Sequence, residues 1–268
     1  MNPTLRIHLL GDFLLLSDET PVTSIDLPRL QSLVAYLLLH HGVPQSRSRL
    51  AYLLWPDSTD AQAHTNLRNL VHKLRQALPD ADAFLRSDRQ TLAWQPSSPQ
   101  ASWTLDVRDF EEALVQADRA RDGSEARHAL EAAVKLYRGD LLPSCYDEWI
   151  LPERDRLRQA MLNALGRLIE QEEQERDYQA AINSAQRLLR YDPLHETTYR
   201  HLMRLYALTG DRAAALRRVG DGAIAADGDL ALGAGGVDRG DGQRVVAIDV
   251  GGVGQDVDGD GLVGIGAG

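Results

Sequence analysis

The chain has one cysteine, Cys145, in 268 residues, which rules out an internal disulfide. Its longest apolar run, residues 33–39, is interrupted by Tyr36 and is far shorter than the roughly 20 residues a membrane-spanning helix needs. The opening MNPTLRIHLLGDF lacks a signal-peptide pattern. These absences predict a soluble, cytoplasmic protein with no membrane association. No GxxxxGK[ST] loop occurs anywhere, so the sequence offers no cradle of that kind for nucleotide phosphates. Glycine is scarce up to residue 218, with six, and then abundant, with sixteen in residues 219–268. The most telling gap is local: between Asp60 and Asp80 there is no Asp or Glu at all.

What is present suits ordinary globular domains. Hydrophobic residues make up 43% of the chain, enough for cores, and the length suggests two modest domains. A formal net charge of −10 looks adverse to a nucleic-acid partner until it is divided along the chain. Residues 219–268 hold nine Asp, no Glu and two Arg, whereas residues 1–95 hold nine Lys+Arg against nine Asp+Glu. The acidity is mostly a property of the tail. Clustering of charge on the folded surface, not the total, decides whether DNA is attracted.

Residues 5–23 alternate and turn like short strands, with Gly11-Asp12 and residues 17–20 as turn signals, which predicts a small antiparallel sheet. Residues 28–41 follow as a helix, with Pro28 in its first turn and Gly42 as its stop. A second helix is expected at about 47–54, capped by Ser46 and ended by Trp55-Pro56. A third is expected at 58–79, after which FLRSDRQTLAW supplies two short strands around a polar turn at residues 87–90. Strands, three helices and a closing hairpin are the order of a winged helix.

The third helix carries the chemistry. Ser58 or Thr59 can cap it, Gln62 stands three residues after Thr59 as in a capping box, and Pro79 bars its continuation. Ala63, Leu67, Leu70, Val71, Leu74 and Leu78 recur at helical spacing as a core stripe. At about 100° per residue, Gln62, Thr65, Asn69, His72 and Gln76 point away from it, with Arg68, Lys73 and Arg75 on the flanks. Solvated helix faces usually mix acids among their bases; a phosphate backbone as partner explains why this one does not. In a helix-turn-helix the second helix of the motif enters the major groove and its N-terminal residues meet base edges. Gln62, Thr65, Arg68, Asn69 and His72 are therefore expected at bases, where Arg can read guanine and Asn or Gln adenine. Lys73, Arg75, Arg86 and Arg89 are expected at phosphates, the last two reaching from the hairpin to adjacent phosphates or the minor groove. Arg29, Arg47 and Arg49 are secondary candidates for backbone contacts. Without the winged-helix setting these polar positions would read as a solvated face, and Thr65 as a flank packing residue.

Residues 96–99, PSSP, form a linker, and a second, helical domain is expected from near Trp103. Its helices are expected at about 107–121, 124–138, 150–175, 178–191 and 195–209. Residues 177–182 (DYQAAI) correspond to 211–216 (DRAAAL) at an offset of 34, which also relates Leu165 to Tyr199, Leu168 to Leu202 and Ile169 to Met203. That is the tetratricopeptide period, with small Ala180 and Ala214 where paired helices approach. The expected division is 1–98 winged helix, 99–218 tetratricopeptide-like domain and 219–268 tail. In the tail, forty of fifty residues are Gly, Asp, Val or Ala, whose codons all begin with G. The expectation is that a shift of reading frame replaced the natural C-terminus, leaving a disordered or poorly packed tail and a last repeat without its packing helix, with Leu205, Leu208 and Leu216 exposed. Sequencing of the locus tests this: an intact frame through codon 219, with homologous tails in relatives, would refute it. Asp256, Asp258, Asp260 and Gly261 match the start of a calcium loop, but Ala267 takes the place of its closing Glu, so no metal site is expected.

The pattern LAYLLWPDSTDAQAHTNLRNLVHKLRQALPDA, followed by LDVRDFEEAL, resembles the SARP family of bacterial transcriptional activators over about residues 5–218; residues 104–218 resemble the family's bacterial transcriptional activation domain. The resemblance implies a mainly α fold with small β elements: a response-regulator-type winged helix followed by a tetratricopeptide-like all-α domain. It also implies a regulator that binds repeats in double-stranded promoter DNA, a helical domain that supports a homodimer, and recruitment of RNA polymerase. An enzyme is not expected, and neither is a cofactor. His195-Glu196 and His201 lack the HExxH spacing, Cys145 has no base near it in sequence, and Glu111-Glu112 and Glu172-Glu173 read as solvated faces. The alternative is a helical-repeat scaffold that binds a protein and against which the N-terminal domain merely docks.

Overall fold

The computed structural model describes residues 4–97 and 101–211, and the chain divides into two compact units, Met1–Glu175 and Arg176–Gly268. The expectations for the tail, for Ala214 and Leu216 and for the calcium-loop match lie outside the described residues.

The first unit opens with β1 (Leu5–His8), β2 (Leu14–Ser17) and β3 (Thr20–Pro21), consecutive and antiparallel. Asp18 and Glu19, both at positive φ, form the two-residue turn between β2 and β3, a backbone geometry whose twist matches that of a hairpin. Leu5, Ile7 and Leu15 put the inner face of this sheet into the core. Three helices follow: α1 (Pro28–Leu39), α2 (Arg47–Leu54) and α3 (Asp60–Ala77). A two-residue strand, β4 (Gln45–Ser46), precedes α2, and a single helical turn, α4 (Ala81–Phe84), leads into the hairpin β5 (Leu85–Ser87) and β6 (Thr91–Trp94). The wing is therefore a three-stranded sheet in the order β4-β6-β5. Ser46 stands at the cap of α2 as expected, but its side chain makes no capping hydrogen bond.

Described residues from both sides of the expected linker pair with one another. Residues Trp103–Leu105 form a strand, β7, that pairs parallel with β1 and completes a sheet of order β3-β2-β1-β7. An unpaired edge of β1 would leave backbone N–H and C=O groups without partners, and β7 supplies them. Aromatic contacts follow the same path: Trp94, fully buried, stacks on Phe84 with centroids 5.6 Å apart and meets Trp103 edge-on at 5.8 Å.

Three helices of the first unit come next, α5 (Asp106–Arg119), α6 (Gly123–Leu136) and α7 (Leu151–Gln174), each packed on its neighbour in sequence. Asp122 caps α6 by accepting from the N–H of Glu125 at 2.9 Å. The start of α5 is bolted to the end of β1. The buried Asp106 carboxylate accepts from the N–H of Leu9 and of Leu10 at 2.9–3.0 Å, and His8 Nδ1 lies 3.6 Å away. Burial pushes the Asp106 carboxyl above the usual range against the pull of those N–H groups, and burial lowers His8. A second bolt lies on α1. Ser32, buried, donates to Asp147 and accepts from Trp149 Nε1 at 3.1 Å; Arg29 pairs with Asp147, and Trp149 meets Tyr36 edge-on at 5.1 Å. The winged helix and the helices up to Gln174 thus belong to one compact unit.

In the second unit α8 (Tyr178–Tyr191) and α9 (Glu196–Leu208) pack on each other. Asp177 caps α8 through the N–H of Ala180. The small buried residues of α8 are Ala181, Ser184 and Ala185, whereas the expected Ala180 is half-buried. Leu205 is buried, in contrast to the expectation, and Leu208 is exposed. The mainly α fold with small β elements, winged helix followed by helical hairpins, is as expected.

Candidate nucleic-acid interface

Helix α3 forms where its pattern dictates. Thr59 is the cap, its Oγ1 accepting from the N–H of Gln62 at 3.4 Å. The reciprocal half of the capping box is not made, since Gln62 Nε2 donates to Asn66 Oδ1 at 2.8 Å instead. Ala63, Leu67, Leu70, Val71, Leu74 and Leu78 are all buried. With the stripe inside, Gln62, Thr65, Arg68, Asn69, His72, Lys73, Arg75 and, on the hairpin, Arg86 and Arg89 are all exposed.

Exposure alone does not make them equal. Thr65 donates its hydroxyl to the carbonyl of Ala61 at 2.9 Å, so that proton is spent on its own helix. Arg75 lies 3.7 Å from Asp82, a surface pair. Arg68 and Arg89 come together with Arg47, His64 and Ser48 around a cleft of about 740 Å³ between the start of α2, one flank of α3 and the wing. Gln62, Asn69, His72 and Lys73 are not part of that cleft's wall, and neither is Arg86, which pairs across the hairpin with Ala93.

The wing turn is built by Asp88. Its Oδ1 accepts from the N–H groups of Gln90 and Thr91 at 2.7 and 2.6 Å, and its Oδ2 from the Thr91 hydroxyl at 2.8 Å. Those bonds hold its carboxyl below the usual range. Arg47 ties the turn to α2: its N–H donates to the Gln90 carbonyl at 2.8 Å, its Nε to the Asp88 carbonyl at 3.0 Å and its Nη2 to Ser87 Oγ at 2.7 Å. Burial, and then the positive charge of Arg75, lower the Arg47 pKa from the ordinary arginine value; Asp88 opposes this and Arg68 adds to it.

Arg47 was only a secondary candidate in the sequence, and His64 and Ser48 were none. The available signal was the place of Arg47 at the start of α2, the position of the first helix of a helix-turn-helix, which in such motifs crosses the nucleic-acid backbone. Arg29, the other secondary candidate with a resolved role, is instead committed to Asp147. Cys145 is half-buried, and its carbonyl, with those of Leu141 and Leu142, accepts from Arg154. Among the described residues no group of three His, Cys, Asp or Glu side chains is placed to hold a metal ion, and no helix is long and apolar enough to cross a membrane.

Comparison with known proteins gives a family match and a likeness to a solved structure. Residues 105–222 match the bacterial transcriptional activator domain. A solved structure, Mycobacterium tuberculosis EmbR in complex with a low affinity phosphopeptide, superposes with a TM-score of 0.67 at 23% sequence identity, over 85% of this chain and 61% of that one. The chain thus spans about three fifths of the protein it matches in fold. No curated relative matches the chain.

Proposed function

We propose that this chain, a transcriptional regulator of the SARP type with its activator domain at residues 105–222, binds double-stranded DNA in a sequence-specific manner through α3 and the wing. The observation that carries the reading is α3 itself: eighteen residues with one acid, at its N-terminal end, a fully buried apolar stripe, and an exposed face of amides, histidine and guanidiniums beside a wing that carries Arg89. Asn69, His72 and Gln62 present donors and acceptors suited to base edges, and Lys73, Arg75, Arg86 and Arg89 present charge to phosphates. The activator domain then contacts RNA polymerase, and two copies occupy promoter repeats as a homodimer. No catalytic step belongs to this function.

Because β7 and Asp106 bind the winged helix to the activator helices, the test uses the full chain. Gel-shift titration against promoter fragments and a scrambled duplex of equal length should show preference for a subset of promoters. His72→Ala and Asn69→Ala should each weaken that preference by about ten-fold or more, the worth of one base contact, with far-UV circular dichroism unchanged. Undiminished preference in both variants would remove α3 from the interface, and failure of the unaltered chain to bind any duplex would favour the scaffold alternative.

A further inference from the structure

The geometry points to a division of labour within α3 that the order of its residues does not reveal: Arg68 belongs, with Arg47 and Arg89, to a site for a DNA backbone phosphodiester, and base reading is left to the far side of the helix. This deepens the proposed DNA-binding function and rests on it.

The cleft between α2, α3 and the wing is lined by three guanidiniums and one carboxylate. That carboxylate, of Asp88, is occupied by the N–H groups of Gln90 and Thr91 and the hydroxyl of Thr91, and Arg47 bonds the Asp88 carbonyl, not its carboxyl. Among the described residues Arg68 and Arg89 make no ion pair. Arg47 is held in place by three bonds to the wing, and its positive charge sits close enough to Arg68 and Arg75 for each to oppose it. Like charges gathered around one cleft oppose each other until an anion enters among them, and a phosphodiester is the anion that DNA offers. The wall positions favour the backbone over a base: Ser48 and His64, 3.4 Å apart, stand beside Arg68, so its reach is toward the wing and away from Asn69 and Lys73 on the other flank. Arg47 acts twice, as the anchor that keeps the wing turn at its height and as one wall of the phosphate site.

The experiment measures full-chain binding to a 30-base-pair duplex library with a random core, at a series of salt concentrations, with the recovered sequences read out. Arg68→Ala and Arg89→Ala should each weaken binding to all sequences by about ten-fold, flatten the slope of log K against log salt by about 0.9, and leave the recovered consensus unchanged. Arg47→Lys keeps the charge but loses the planar fork that bonds the wing, and should weaken binding less than Arg47→Ala while preserving the slope. Asn69→Ala should do the reverse of Arg68→Ala, altering the consensus at one position with the slope intact. A changed consensus with an unchanged slope in Arg68→Ala would make Arg68 a base reader and overturn the division. Unchanged affinity in Arg68→Ala and Arg89→Ala, with Asn69→Ala still defective, would remove the phosphate site and leave the DNA-binding function standing. Failure of the unaltered chain to bind any duplex would overturn that function and this site together.

Discussion

Replacing Asp106 by alanine removes a side chain that ties the start of α5 to the end of β1. The carboxylate satisfies two buried N–H groups, those of Leu9 and Leu10, whose side chains are fully buried, so neither donor has water to turn to. An orphaned buried donor costs about 1–3 kcal/mol, which gives roughly 2–6 kcal/mol for the pair. Against this stands the relief of a carboxylate whose charge burial disfavours, which brings the expected loss to about 3 kcal/mol. Asparagine keeps one acceptor but turns an amide donor toward a backbone donor, so about half of that loss is expected. Urea unfolding of the full chain measures both. A loss of about 3 kcal/mol moves the midpoint by on the order of 1–2 M at ordinary slopes. Trp94 and Trp103 sit along the same junction, so tryptophan emission and far-UV circular dichroism should shift by the same amount. A change below about 1 kcal/mol in Asp106→Ala, or a shift seen by fluorescence alone, would refute the view that this carboxylate holds the two halves of the first unit in one cooperative core.

Three further outcomes are expected. Ser32→Ala leaves Trp149 Nε1 without its acceptor and Asp147 without one donor, and should cost roughly 1–3 kcal/mol in the same unfolding assay with a red shift of tryptophan emission. Gly11 lies at φ +102°, where side chains are strained, so Gly11→Ala should destabilise by about 1 kcal/mol or more despite the ordinary contacts its Cβ would make. Burial alone would raise the Asp140 carboxyl, but Arg158 and Tyr137 hold it below the usual range. A depressed folded value means a contribution that is present above the unfolded value and lost as pH falls through the folded one. Asp140→Asn should therefore be less stable than the unaltered chain at pH 7, with the difference closing below about pH 4 in thermal melts.

Much of this protein was legible along the chain. Helix spans matched within one or two residues because they are set by local matters: Pro28 at the first turn of α1, Thr59 before α3, and apolar residues every three or four positions. The face of α3 that meets solvent follows from the same periodicity, which is why all nine candidate contact residues emerged exposed. The capping box misled, since a glutamine three residues past a threonine has a competing partner one turn on in Asn66, and nothing in the spacing decides between them.

What the sequence alone determined is the set of elements and the sidedness of each, because these depend on residues a few positions apart. Only the tertiary structure decided which distant pieces share a site. Parallel pairing of β7 with β1, the reach of Asp106 to Leu9 and Leu10 across 97 and 96 positions, and the meeting of Arg47 with the wing 40 residues on are all long-range. Backbone groups at a sheet edge and guanidiniums on a surface take whichever partners folding brings near, and no local periodicity names those partners.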